Sequence, residues 1–279
     1  MVDEYEGRIR LAAEGRANTD PIPKVPDAGI VVTEGGMRWQ VMHNGVMVLA
    51  DGYYGAWMTR LIANLNGHHE PQEERVFHEL LPYLGRASVM LELGSYWAYY
   101  SLWLKRFCPD ASLYLLESDP RHLAVGMMNL WRNDVQATVI PGLIGHQNRA
   151  PTVIEMPTAP PYERGQPVMV PVFTLDGLLQ ELGLARVNVL HADVQGSEFD
   201  MLWGASDTLI GRKIDFLLIS THSDRLHTDC MDYLSDAGYR IAVQHTPAES
   251  FSVDGLIFAA SPAMEEWPEP HIVRRGAVS

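Results

Sequence analysis

Cysteine is nearly missing from this chain of 279 residues, in which Cys108 and Cys230 are the only two. They show neither metal-ligand spacing nor the makings of a disulfide framework, so they read as reduced thiols in a cytoplasmic protein. Runs of Lys or Arg are missing too, and the net charge is −14. Phosphate backbones and anionic membrane surfaces need clustered positive charge, so nucleic acid and membranes fit poorly as partners. No apolar stretch approaches the ~20 residues of a membrane span. The opening MVDEYEGRIR lacks the apolar core of a signal peptide. Internal repeats are absent, and so is the dinucleotide fingerprint G-x-G-x-x-G. What remains is 47% hydrophobic and 20% charged, enough for a full core in one large α/β domain or in a domain with an N-terminal extension.

The stretch VMLELGSYWAYY, residues 89–100, organises the rest. A short apolar strand that ends in Glu92 and Gly94 and then turns into a helix is the ligand-binding corner of a doubly wound fold. Gly94 suits a sharp turn and a close backbone approach to a ligand. Without the other glycines, a pyrophosphate on the helix N-terminus is not the natural ligand. A second apolar strand, 112–117, ends in Glu117-Ser118-Asp119-Pro120 and places a carboxylate for two ribose hydroxyls. One close-approach glycine plus a ribose-binding acid suits a nucleoside joined to an amino acid, which is S-adenosylmethionine (SAM). Glu92, Gly94, Ser95, Tyr96, Glu117 and Ser118 are the candidate cofactor contacts.

Along the chain, residues 1–27 read as an irregular arm punctuated by prolines. Residues 29–51 read as a hairpin or meander turning at Asn44-Gly45. Helices follow near 57–65 and 71–81. His68, His69 and Glu70 between them read as a solvated loop near the cofactor corner, not as metal ligands. From Val89, strands fall near 88–93, 112–117, 137–141, 187–192, 214–220, 238–244 and 254–260. Helices fall near 96–107, 120–133, 174–182, 197–210 and 225–236. The last two strands follow one another without a helix, which fits a Rossmann-like seven-stranded sheet ordered 3-2-1-4-5-7-6. Proline-rich residues 150–173 read as an inserted loop or hairpin beside the active site and in contact with substrate. The expected division is an extension over 1–67 and a catalytic domain over 68–279.

In an open α/β sheet the ligand lies outside the carboxyl ends of the strands. Two such ends carry chemistry here, VLHADVQGSE (189–198) and LISTHSD (218–224). Ser197, with Asp200, reads as a helix cap, and Ser223 or Asp224 as another. His227 reads as solvent-facing. His222 is then the candidate general base, because imidazole titrates near neutrality. Asp193 could orient that base, bind a substrate hydroxyl or act as base itself. His191, Gln195 and Glu198 complete the rim, and no metal is expected.

These segments resemble the FkbM family of SAM-dependent methyltransferases over roughly residues 68–245. The resemblance rests on LELGSYWAYYSLWL, on LYLLESDPRHLAVGMMNLWRNDV with its paired Asn129 and Asn133, and on VPVFTLDGLLQELGL, VNVLHADVQGSEFDMLWGA and LLISTHS. It implies SAM as methyl donor, S-adenosylhomocysteine as product, and O-methylation of a sugar, glycoside or other secondary-metabolite hydroxyl. By position, Glu92 and Gly94 match the cofactor loop and Glu117 the ribose acid. Asp193, Gly196 and Glu198 match the family's D-x-x-G-x-E segment. The family's second loop glycine is Ala98 here, and its basic residue two before the aspartate is His191. N- or carboxyl-methylation, or a catalytically silent fold that binds a partner, are the alternatives. A homo-oligomer is left open.

Overall fold

In the computed structural model, which describes residues 2–155 and 167–276, the chain begins with a helix where an irregular arm was expected. The first helix, α1 (Val2–Glu14), and the short α2 (Arg16–Thr19) precede the proline stretch. Ile9 and Ala12, spaced i, i+3 on α1, bury one helix face, and that spacing was the signal the polar residues around it obscured. An antiparallel meander follows, β1 (Val31–Glu34), β2 (Met37–Val41) and β3 (Met47–Leu49). Its second turn is the expected Asn44-Gly45, where Asn44 Oδ1 accepts the Val46 N–H at 3.0 Å and Gly45 holds φ +81°. Then come α3 (Ala56–Asn64), packed on α1, and α4 (Pro71–Leu80), whose proline sits in the first turn where a missing N–H costs nothing.

The rest alternates. β4 (Val89–Leu93), α5 (Tyr99–Phe107), β5 (Ser112–Glu117), α6 (Pro120–Arg132) and β6 (Thr138–Pro141) form one half. Three strands, β7 (Leu143–Ile144), β8 (Arg149–Glu155) and β9 (Pro167–Phe173), then make a separate small sheet. The second half is α7 (Leu175–Glu181), β10 (Val187–Ala192), α8 (Glu198–Trp203), α9 (Ser206–Ile210), β11 (Ile214–Thr221), α10 (Asp224–Asp236), β12 (Arg240–His245) and β13 (Gly255–Ala260). The large sheet has seven strands in the order β12-β13-β11-β10-β4-β5-β6, which is 3-2-1-4-5-7-6 when numbered within the sheet. β13 runs antiparallel to both neighbours, and the other paired strands are parallel. β11 and β13 are buried along their whole length, and residues 216–219 and 256–260 within them read as continuous apolar runs rather than alternating ones.

The helix expected over 197–210 is two helices. At Gly204 between them a Cβ would lie 2.5 Å from the Gly145 carbonyl oxygen, so the backbone there packs against the small sheet. The proline-rich segment is a strand pair in its described parts, with Pro151 in β8 and Pro167 and Pro171 in β9. Pro157, Pro160 and Pro161 lie outside the described residues.

Side chains, not strands, attach the meander to the large sheet. Asn129 and Asn133, one turn apart on α6, accept the Leu49 and Met47 N–H groups of β3 at 2.8 and 2.9 Å. Asn133 Nδ2 donates back to the Met47 carbonyl at 2.7 Å. One apolar cluster accordingly runs from Ile9, Met42, Val48 and Leu61 to Leu115, Val189 and Phe258 on one sheet face, and a second cluster fills the other.

Candidate active site

Two constellations stand at the carboxyl edge of the large sheet, one beyond β4 and β5 and one beyond β10 and β11. Gly94 belongs to both. It holds φ +72°, and a Cβ on it would sit 1.8 Å from the Asp193 carbonyl oxygen. The close approach that demands glycine in this structure is to the protein's own backbone.

The first constellation is closed upon itself. Both Glu117 oxygens are taken by backbone donors: Tyr96 N–H at 3.1 Å, Ser118 N–H at 2.7 Å and Asp119 N–H at 2.8 Å. Burial raises this carboxyl above its usual range while those bonds oppose the rise, and the residue is only 6% exposed. The Tyr96 ring lies flat on His122, with centroids 3.5 Å apart, and its hydroxyl accepts the Tyr54 N–H at 3.3 Å. Tyr53 stacks on Trp97 beside it, with centroids 4.2 Å apart. Glu92 faces inward, where its carboxylate accepts from the Ser101 N–H and hydroxyl, and burial raises its pKa. Ser95 is buried and donates its N–H to the Leu116 carbonyl at 3.1 Å.

The second constellation opens into a cleft of about 350 Å³, within the range of small-molecule sites. Asp193, Gln195, His222 and Asp254 form its base, and His69 and Glu70 a side. Tyr53, Tyr54, Trp57 and Phe251 supply aromatic walls, and Arg8, Leu11 and Ala12 of α1 reach the mouth. None of the described residues of the proline-rich insert lines it.

His222 is held between carboxylates. Nδ1 lies 2.7 Å from Glu198 Oε1, and Nε2 lies 3.2 Å from Asp193 Oδ1 and 3.6 Å from Asp254 Oδ1, without the alignment of a hydrogen bond. Burial disfavours the charged ring, yet Asp193 and Glu198 overcome it and push the pKa up to about 11. Near neutral pH the ring is an imidazolium. Asp193 also accepts from Gln195 Nε2 at 2.8 Å, and despite burial these contacts hold its carboxyl below the usual range. Asp254 differs. Burial pushes it up to about 7, with His222 opposing and Asp193, Glu70 and Glu73 adding to the rise.

Several expected positions move. Glu198 lies fully buried beneath His222, where its Oε1 also accepts the Gly196 N–H at 2.9 Å, and it does not line the cleft. His191 is buried too, with Nε2 2.5 Å from Glu73 Oε1 and its ring against Tyr100. His227 faces inward to Thr221 and Gln244 rather than solvent. Ser197 makes no cap bond and Asp200 turns toward His146 at 3.4 Å, whereas Ser223 caps α10 through the Leu226 N–H. His68 and His69 are buried on Glu74 and not solvated, because α4 folds back over them. His69 is pushed up to about 10, since Glu70 and Glu74 outweigh its burial.

His43, His68 and Glu74 bring one ligand atom each within 4.8 Å of one another. The two imidazoles are stacked at 4.2 Å and 12°, so their in-plane lone pairs run in parallel planes and do not converge on an ion.

Asp254 is the residue that reasoning from strand ends missed. It precedes β13, and strand starts are ordinarily at the wrong edge. But β13 is antiparallel, with Gly255 paired to Thr221, so Asp254 lands beside His222. The legible signal was FSVDG immediately before a closing hairpin strand.

The chain is similar in part to several known proteins. A Jannaschia sp. (strain CCS1) protein provisionally named a methyltransferase is 32% identical over 100 residues, spanning 33% of this chain and about a third (34%) of that one. Two solved structures are similar to parts of the chain. The precorrin-6y C5,15-methyltransferase of Geobacter metallireducens GS-15 is 16% identical over 68% of this chain and 86% of its own, with a TM-score of 0.44. Aeropyrum pernix fibrillarin, solved with SAM, is 16% identical over 63% and 69%, with a TM-score of 0.41. The Methyltransferase FkbM domain matches residues 111–241, a narrower span than the resemblance over 68–245 implied. It takes in Glu117, Asp193 and His222 and leaves Gly94 and Asp254 outside. Glu117 and the Asp193–His222 pair both lie inside the span, residues 111–241, that is similar to the methyltransferase FkbM domain.

Proposed function

We propose that the protein is a SAM-dependent methyltransferase that methylates a hydroxyl of a small molecule, such as a saccharide or glycoside, held in the cleft. One observation carries this reading: an aromatic-walled cleft with charged groups at its base opens beside the Gly94 turn, where the two strand-end constellations meet. The frame fits the cofactor. Glu117 stands at the end of β5 where a ribose would need acceptors, and the Gly94–Ala98 turn faces it through the Tyr96 N–H. The Tyr96 ring must leave His122 for a nucleoside to reach Glu117. Gly94, Ser95, Tyr96, Glu117 and Ser118 would hold the cofactor, which supplies an electrophilic methyl group when bound. Asp193, Gln195 and the His222 imidazolium would orient the acceptor, and the aromatic walls would exclude water. His222 is thereby a positioning and charge-compensating group rather than the base first assigned to it.

The closed corner also favours a second reading, a protein that has kept the fold without turnover. Calorimetric titration with SAM and S-adenosylhomocysteine, with and without EDTA, separates the two. Micromolar binding insensitive to chelator is the expected result, and absence of binding to either nucleoside would sink the methyltransferase reading.

A further inference from the structure

We infer that Asp254 is the proton acceptor of the transfer step, the group that takes the hydroxyl proton of the methyl acceptor. The inference rests on the methyl-transfer reading above. Three groups at the base of the cleft could do this work, and their surroundings separate them. His222 carries its proton already, is tied to Glu198 through Nδ1, and keeps its charge throughout the neutral range. Asp193 has its basicity spent on Gln195 and His222. Asp254 has no such partner among the described residues: its approach to His222 is the long one, at 3.6 Å, and its side chain is 29% exposed.

The backbone holds it there under strain. Val253, the residue before it, is β-branched and sits at φ +86°, a conformation such side chains rarely tolerate. Val253 and Asp254 both line the cleft, so the strained turn aims the carboxylate at the space a substrate would fill. The groups that face it come from every wall: Arg8 of α1, Tyr53 and Tyr54 of the loop before α3, His69, Glu70 and Glu73 around the start of α4, Asp193 after β10 and His222 after β11. Of these, Glu70, Glu73 and Asp193 make Asp254 more basic, which suits a base working near neutral pH.

The step balances. As the hydroxyl oxygen bonds to the methyl carbon, the carbon–sulfur bond breaks onto sulfur, leaving a neutral thioether, and the hydroxyl proton passes to an Asp254 oxygen. The carboxylic acid then returns the proton to water at the cleft mouth. The His222 imidazolium does not transfer a proton; it compensates the carboxylate before transfer.

The test uses the full chain labelled with ¹⁵N in its histidine rings. The His222 ring signals should shift with a midpoint near pH 7 in the unaltered protein, reporting Asp254, and Asp254→Asn should abolish that step. With tritiated-methyl SAM and the probe alcohols methyl α-D-glucopyranoside and catechol, turnover should rise tenfold per pH unit below that midpoint and then level off. Asp254→Asn should lower kcat by roughly a hundredfold or more with S-adenosylhomocysteine affinity unchanged, and Asp254→Glu should recover part of the loss. A titration without the step, or an Asp254→Asn protein with unaltered turnover and pH profile, overturns the inference. An intact His222 step in a protein that binds neither SAM nor S-adenosylhomocysteine overturns the methyl-transfer reading instead.

Discussion

The two constellations at the sheet edge are built from the same material, a carboxylate at a strand end beside a histidine and aromatic rings, and they behave oppositely. At β5, Glu117 is answered by three backbone N–H groups and lies beneath the Tyr96–His122 stack. At β10 and β11, Asp193 and Asp254 are answered by one shared imidazolium and stay open to a cleft. A carboxylate satisfied by fixed backbone dipoles is a structural anchor until something displaces its cover. One faced by a charged side chain and left partly wet is available for chemistry. Composition does not distinguish the pair; the supply of backbone donors does.

The joint between them is the place to break both at once. Gly94→Ala would set a Cβ 1.8 Å from the Asp193 carbonyl at φ +72°, and we expect a loss of about 3 kcal/mol or more, read as the unfolding midpoint in urea. A change below about 0.5 kcal/mol would mean the two edges are not packed as described. Next in size is Glu117→Ala. Removing the acceptor strands buried N–H groups, so we expect it to cost roughly 2 kcal/mol of stability and to weaken S-adenosylhomocysteine binding in calorimetry. If stability falls while affinity holds, the corner is an anchor only.

Tyr96→Gly probes the cover. It removes the ring from His122 and suits the backbone at φ +37°. If the closed state limits binding, affinity for S-adenosylhomocysteine should rise by about tenfold, the fraction of closed molecules setting the gain. A fall in affinity would instead make the ring part of the binding surface. The open constellation is probed through its pH dependence. His222 is raised from 6.5 to about 11 in the folded chain, so the stability it contributes is complete below pH 6.5 and drains away as the pH climbs toward 11. Denaturation midpoints of His222→Gln should therefore fall less steeply over that window than those of the parent. Parallel slopes would show that the imidazolium is not held by its carboxylates.

Much of the architecture was legible because it is written in local pattern. The strand over 112–117 and the helices beginning at Pro120 and Asp224 follow from apolar runs, prolines at first turns and a capping serine, all of which act within a few residues. The carboxylates at 117 and 193 were found by the same means, since a strand end is a local feature. Asp254 was not, because it becomes a neighbour of His222 only through the antiparallel register of β13 on β11. Helix α1 was hidden by its polar face, and the burial of His68 and His69 depends on how α4 folds back over them. The roles of Asn129 and Asn133 were equally invisible, since their partners on β3 lie 80 and 86 residues away.

The sequence by itself determined most of the strands and helices from Val89 onward, the order of the seven-stranded sheet, and that acidic groups stand at its carboxyl edge. Periodicity and turn chemistry are short-range forces, and they leave their trace in neighbouring residues. Only the tertiary structure decided which of those acids is sealed and which is open, that His222 carries a proton, and that α1 reaches the cleft. Burial and charge pairing set those outcomes, and both depend on groups that the chain brings together only when it has folded.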